Sequence, residues 1–171
     1  FIIVETNESI DSFLSMEDVL YVEEDRRDEP LKIQQSPENW ALPQICGGDS
    51  KYTFKRTGKN VDIYIMDSGI RYDHKDLNNR VETIFSFDDL QYGGDVKSPS
   101  HGTACASMAA GGYYGIAKEA NIKNVRYNWS TIEGLKAFDT ILDHHLKKKN
   151  SVSILNMGFA TKSNYYYDIL K

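Results

Sequence analysis

Apolar positions along the chain fall into short runs separated by polar stretches marked by glycine and proline. Val61-Asp62-Ile63-Tyr64-Ile65-Met66 is nearly continuous in apolar character and ends in Asp67-Ser68-Gly69, the pattern of a buried parallel strand closing in a turn. Val152 to Met157 predicts a second buried strand of the same kind. Residues 101 to 111 are rich in Ala, Gly and Ser, so a helix there can bring its backbone close to a sheet. Ser130-Thr131-Ile132-Glu133 has the spacing of a capping box. Beyond it, Ile132, Leu135, Phe138, Ile141, Leu142 and Leu146 predict one buried helical face. Strand, helix, strand, helix and strand in this order predict an α/β architecture, a parallel sheet with helices on both faces.

The N-terminal part follows a different pattern. Ile10-Asp11-Ser12-Phe13-Leu14 reads as a short amphipathic turn, and Val19-Leu20-Tyr21-Val22-Glu23-Glu24-Asp25 as an alternating strand ending in carboxylates. Taken alone, that strand is an acidic, solvated edge. Arg26 through Pro37 is polar and carries Pro30 and Pro37, which predicts an irregular, extended linker.

Composition narrows the classes of partner. The 171 residues suit one ordinary domain, and 40% hydrophobic content is somewhat low for a complete one. A net charge of -5 argues against a nucleic-acid surface. No apolar run approaches the ~20 residues of a membrane span. Peptides or proteins are therefore the expected partners, with no nucleic acid and no membrane. Cys46 and Cys105 are too few for a disulfide framework, and Cys105 reads as a buried free thiol. The chain opens at Phe1 and closes at Lys171 in Tyr-rich polar sequence, which reads as a fragment.

Two residues carry candidate chemistry. Asp67 ends an apolar strand, with Gly69 letting the chain turn away, and His101 opens a helix of small residues. That is how a hydrolytic site presents an orienting acid and a general base, with a nucleophilic serine as the missing member. The bland alternatives are a turn-capping aspartate and a surface histidine. An aspartic protease built on Asp67-Ser68-Gly69 would need a second such motif and an all-β pattern, and neither is present. His144 and His145 read as helix-end residues favoured by the dipole, and Lys147 to Lys149 as a solvated helix end.

The motifs and the residues around them resemble the subtilisin-like serine endopeptidases, nearest to the proteinase K branch. Ile63 to Ile70 with His74-Lys75-Asp76-Leu77 resembles the family's aspartate segment, and Ser100-His101-Gly102-Thr103-Ala104-Cys105-Ala106 its histidine segment. Tyr114 to Lys118, Asn121 to Val125, Ser130-Thr131-Ile132 and Ile154 to Met157 continue in register. The resemblance implies a subtilisin-like fold, incomplete here and preceded by the end of a small α+β propeptide domain. It divides the chain into residues 1–28, the C-terminal part of that propeptide; residues 29–37, a linker with the processing site; and residues 38–171, the N-terminal part of the catalytic domain. It further implies catalytic roles for Asp67 and His101, a serine lying beyond this chain, the chain's own propeptide segment as a partner, and secretion. Calcium is common in the family, but no residue match carries a site here, so no cofactor or metal is assigned.

Several positions depart from the family. Ala104 stands in place of a second histidine and Ser107 in place of a glycine, both keeping the helix small. Tyr127-Asn128-Trp129 is shorter than the family's loop at the cleft edge. Gly158 and Phe159 occupy the substrate-binding wall where the family has Ser-Leu. Two functions follow: a serine endopeptidase, or a catalytically inactive homologue acting as a peptide-binding or inhibitory module.

Overall fold

Alternation inside Val61–Asp67 sets the architecture. Ile63 and Ile65 enter one core cluster, while Tyr64 and Met66 enter another. The computed structural model describes residues 6–22, 32–48, 50–88, 100–148 and 152–159. The chain divides into two units, Phe1–Pro30 and Leu31–Lys171.

The described part of the first unit holds one short helix, α1 (Ile10–Leu14), with no buried residue. The strand expected from Val19 to Asp25 does not form over 19–22, where Leu20 is fully exposed, and residues 23–25 lie outside the described residues. An alternating segment becomes a strand only when a neighbour completes its backbone hydrogen bonds. No partner strand occurs among the described residues of this unit.

In the second unit, β1 (Lys32–Gln35) precedes α2 (Ala41–Gln44) and pairs antiparallel with β2 (Lys51–Phe54). Thus part of the stretch expected as irregular linker is a strand: the residues between Pro30 and Pro37 keep their N–H groups and can pair along an edge. Then follow β3 (Val61–Asp67), a 3₁₀ turn at Lys75–Leu77, β4 (Val81–Ser86), α3 (Ser100–Ala110), β5 (Asn121–Arg126), α4 (Thr131–Leu146) and β6 (Val152–Asn156). The last four strands form one sheet in the order β4-β5-β3-β6, with every pairing parallel. This is the expected parallel α/β layer arrangement.

One cluster joins Ile63, Ile65 and Ile122 of the sheet to Ala106 and Ala110 of α3. The other joins Tyr64, Met66 and Val125 to Ala137 and Ile141 of α4. Burying each large side chain stabilises the fold by about 1.5–3 kcal/mol.

Three local expectations are corrected. The buried positions of α4 are Gly134, Ala137 and Ile141, whereas Ile132, Leu135, Leu142 and Leu146 are exposed and Phe138 is only partly buried. Gly134 and Ala137 let the helix axis approach the sheet closely, so the small residues take the inner face and the bulky stripe is turned away. Ser130 is the N-cap of α4 but makes no side-chain cap bond, and Glu133 instead accepts from Lys136 at 2.8 Å. Finally, β6 pairs only with β3 among the described residues, which leaves Val152 and Ile154 exposed rather than buried.

Candidate active site

Strand β3 delivers Asp67 to the C-terminal edge of the sheet, where its side chain is fully buried. A buried carboxylate is tolerated only when donors satisfy its oxygens. Oδ1 accepts from the Ser68 N–H at 2.7 Å and from the Ser68 hydroxyl at 3.1 Å. The Nδ1 of His101 lies 3.0 Å from Oδ1 and 2.8 Å from Oδ2. With an ionised Asp67, that nitrogen carries the proton and donates it, leaving Nε2 as the lone-pair nitrogen. The ring is 57% exposed while the carboxylate is not exposed at all, so the pair has an inner orienting end and an outer reactive end.

Close backbone packing brings the two elements together. Gly69 has φ 113°, a conformation that favours glycine, and it turns the chain away from the Asp67 carboxylate. Its carbonyl oxygen would lie 2.3 Å from a Cβ at position 102, so only glycine lets α3 seat there. Across this contact the Gly102 N–H donates to the Ser68 hydroxyl at 3.4 Å, and the Arg71 N–H donates to the Thr103 hydroxyl at 2.9 Å. At the other end of α3, Arg80 donates to the carbonyls of Ala110 and Ala120 at 2.5 and 2.6 Å, closing the helix C-terminus.

Cys105 lies one turn along α3, with its Sγ 3.8 Å from His101 Nδ1. It is a free, half-buried thiol. Burial, followed by the Asp67 charge, pushes its pKa up and keeps it a neutral thiol. Because Nδ1 already serves Asp67, Cys105 has no base to activate it as a nucleophile. Asp67, His101 and Cys105 form the one cluster of metal-ligating type among the described residues. Calcium takes about six to eight oxygen ligands, and a set contributing nitrogen and sulfur does not fit it.

Gly158 sits directly against the pair. A Cβ there would come 3.3 Å from Cys105 Sγ, 3.4 Å from His101 Cε1 and 3.6 Å from Asp67 Oδ2. Phe159, partly buried, packs on Tyr127 and Trp129 at centroid distances of 5.1 and 5.3 Å. Trp129 is 53% exposed and has φ 64°, an uncommon backbone conformation for a bulky residue. Tyr127 is tied to the site by its N–H, which donates to the Asp67 carbonyl at 3.1 Å. The structure therefore brings Asp67, His101, Gly158 and Phe159 to one edge.

The other histidines have structural surroundings. His74 caps the 3₁₀ turn, accepting from the Asp76 N–H at 3.3 Å. His144 shares a 2.7 Å hydrogen bond with the buried Tyr64 hydroxyl, and partial burial followed by the Lys148 and Lys123 charges pushes its pKa down. The expected dipole-favoured cation is thus disfavoured at His144. His145 bonds the Ser153 hydroxyl at 2.9 Å. Nearby, burial alone would raise the Asp62 carboxyl, but hydrogen bonds from Lys148 and Asn121 and the Lys123 charge outweigh it and hold the pKa below the ordinary range. A concavity of about 910 Å³ lined by Arg71, His74, Lys75, Asn78, Tyr113 and Tyr114 includes neither Asp67 nor His101, and the chemistry belongs to the latter pair.

Sequence reasoning passed over Ser68 and Arg126. Arg126 closes β5 next to the buried Val125 and is itself buried at 7% exposure, a burial that the polar sequence of the strand does not signal.

Comparison with known proteins gives a consistent answer. The model of the Subtilase family matches residues 58–167. A subtilisin-like serine protease of Penicillium citrinum, Pen c 2, is 32% identical over 182 residues, covering 89% of this chain and 38% of that protein. An extracellular serine proteinase of Thermus sp. (strain Rt41A) is 30% identical, covering 83% of this chain and 35% of its own length. The crystal structure of a cold-adapted subtilisin-like serine proteinase superposes with TM-score 0.65 at 25% identity, covering 76% of this chain and 49% of that one. The chain thus spans well under half the length of these two curated relatives.

Proposed function

This chain belongs to the subtilase family, and we propose that Asp67 and His101 are two members of an Asp/His/Ser triad whose serine lies in residues beyond this chain. The observation that carries the reading is the bond from His101 Nδ1 to the fully buried Asp67 carboxylate at 2.8 Å. In this mechanism Asp67 holds the imidazole in one tautomer and stabilises the imidazolium as it forms. His101 takes the serine proton as that oxygen attacks a peptide carbonyl, then returns it to the leaving amine. Gly158 and Phe159 line the substrate side. The substrate is a peptide or protein, the product two shorter peptides, and the setting outside the cell. No described helix is long and apolar enough to cross a membrane.

Residues 1–28 act as the tail of an inhibitory propeptide, with processing in the 29–37 segment. The 171-residue chain by itself hydrolyses nothing, because an acid–base pair without a nucleophile activates water only weakly.

A second reading, an inactive homologue that binds peptides, is favoured by the departures at Gly158 and Phe159. A fluorophosphonate probe separates the two. In the full natural polypeptide it labels one serine, mapped by mass spectrometry, and nothing within residues 1–171. Peptide binding without labelling supports the inactive homologue instead.

A further inference from the structure

Arg126 ends β5 as the register partner of Asp67 and is buried despite its charge. Burying a guanidinium is costly unless its donors are matched, and here the stem, Nε and Nη1 each have a fixed contact. Nη1 donates to Asp88 Oδ1 at 2.6 Å, and the guanidinium lies 4.8 Å from the centroid of the Phe87 ring. Nε donates to the Ser68 carbonyl at 3.3 Å. The methylenes lie against Gly69, where a Cβ would come 2.9 Å from Cδ and 3.3 Å from Cγ. The same glycine meets Gly102 of α3 through its carbonyl oxygen. One short turn is therefore held by α3 through a carbonyl and by Arg126 through a second carbonyl and a Cα.

We infer that Arg126 is a positioning residue for the reacting pair: pinned by Asp88, it fixes the Ser68–Gly69 turn and so the seat of α3 that brings His101 to Asp67. This rests on the acid–base reading of Asp67 and His101. Arg126 touches neither substrate nor imidazole in this account; it acts through the turn. Lysine could reach Asp88 or the Ser68 carbonyl, but it lacks the planar fork that serves both at once.

Proton NMR of the full natural polypeptide tests it. The probe is the hydrogen-bonded His101 Nδ1–H, assigned by its loss in His101→Ala. Arg126→Met keeps the stem and deletes the guanidinium, whereas Asp88→Asn keeps the guanidinium and removes its anchoring charge. Ile141→Val, in the cluster beneath α4, lowers stability away from the turn and serves as the control for a merely structural role. Exchange of the Nδ1 proton with water should be about tenfold faster in Arg126→Met, faster in Asp88→Asn and unchanged in Ile141→Val. In the full natural polypeptide, Arg126→Met should lower kcat about tenfold to a hundredfold with KM nearly unchanged.

Wild-type exchange in Arg126→Met overturns the inference and leaves the reading of the pair intact. If Arg126→Met does not fold, Asp88→Asn decides, and wild-type exchange there overturns the inference. Equal acceleration in Ile141→Val reduces Arg126 to a general stabiliser and also overturns it. Absence of a protected Nδ1 resonance in the folded wild-type polypeptide overturns the reading of the pair and the inference together.

Discussion

A Cβ placed on Gly102 would lie 2.3 Å from the carbonyl oxygen of Gly69, so α3 meets the turn after β3 at backbone contact. This single distance decides where His101 stands, because the histidine precedes that glycine on the same helical turn. Asp67 cannot compensate by moving, since it is buried and already bonded to Ser68.

Gly102→Ala should therefore act on both stability and geometry. The added methyl forces α3 back from the turn, an overpacking cost of about 1–3 kcal/mol. Urea unfolding measures that loss. NMR should show the His101 Nδ1–H signal weakened or lost in the folded variant, whereas a variant with wild-type stability and an unchanged signal would contradict the contact.

His144 makes stability depend on acid. It faces Tyr64 and Asp62 on β3, Glu82 on β4, Lys123 on β5 and Lys148 beyond the end of α4. Partial burial, then Lys148 and Lys123, outweigh the two carboxylates and place its folded pKa below the ordinary 6.5. The unfolded chain thus takes up the proton more readily. The stabilisation is complete above the unfolded value and is lost as pH falls through the lower folded one. Between about pH 7.5 and 5, the wild-type Tm should fall further than that of His144→Gln, and equal slopes would contradict the assignment.

The helix α4 tests packing against sequence pattern. Ile141 belongs to the core cluster with Tyr64 and Met66, whereas Leu142 is 55% exposed. Ile141→Ala should cost about 2–4 kcal/mol and Leu142→Ala less than about 0.5 kcal/mol. Chemical denaturation of the two variants measures both, and similar losses would restore the broader face that the apolar pattern predicts.

That helix also shows where sequence reading stops. Apolar spacing located α4 and its length, but the face toward the sheet is chosen by how closely the axis can approach, and Gly134 and Ala137 carry no hydrophobic signal for that. The parallel sheet was legible because β3 needs apolar residues on both faces, and alternation inside it sorts them into the two clusters. Asp67 and His101 were legible because each sits at an element end within a contiguous motif. Arg126 was not, because its contacts with Ser68 and Asp88 join residues far apart in the chain. The segment from Val19 to Val22 misled in the opposite way: its alternation is strand-like, yet strand formation needs a partner that local pattern does not supply.

Asp67 and His101 are proposed as the orienting acid and general base of a serine endopeptidase. The most direct measurement is kcat for peptide hydrolysis by the full natural polypeptide and its Asp67→Asn variant, alongside the 171-residue chain. The full polypeptide should show fluorophosphonate-sensitive turnover, Asp67→Asn should lose about 10⁴ in kcat, and the 171-residue chain should show no turnover above background. Undiminished turnover in Asp67→Asn, or fluorophosphonate-sensitive hydrolysis by the 171-residue chain, would contradict these roles.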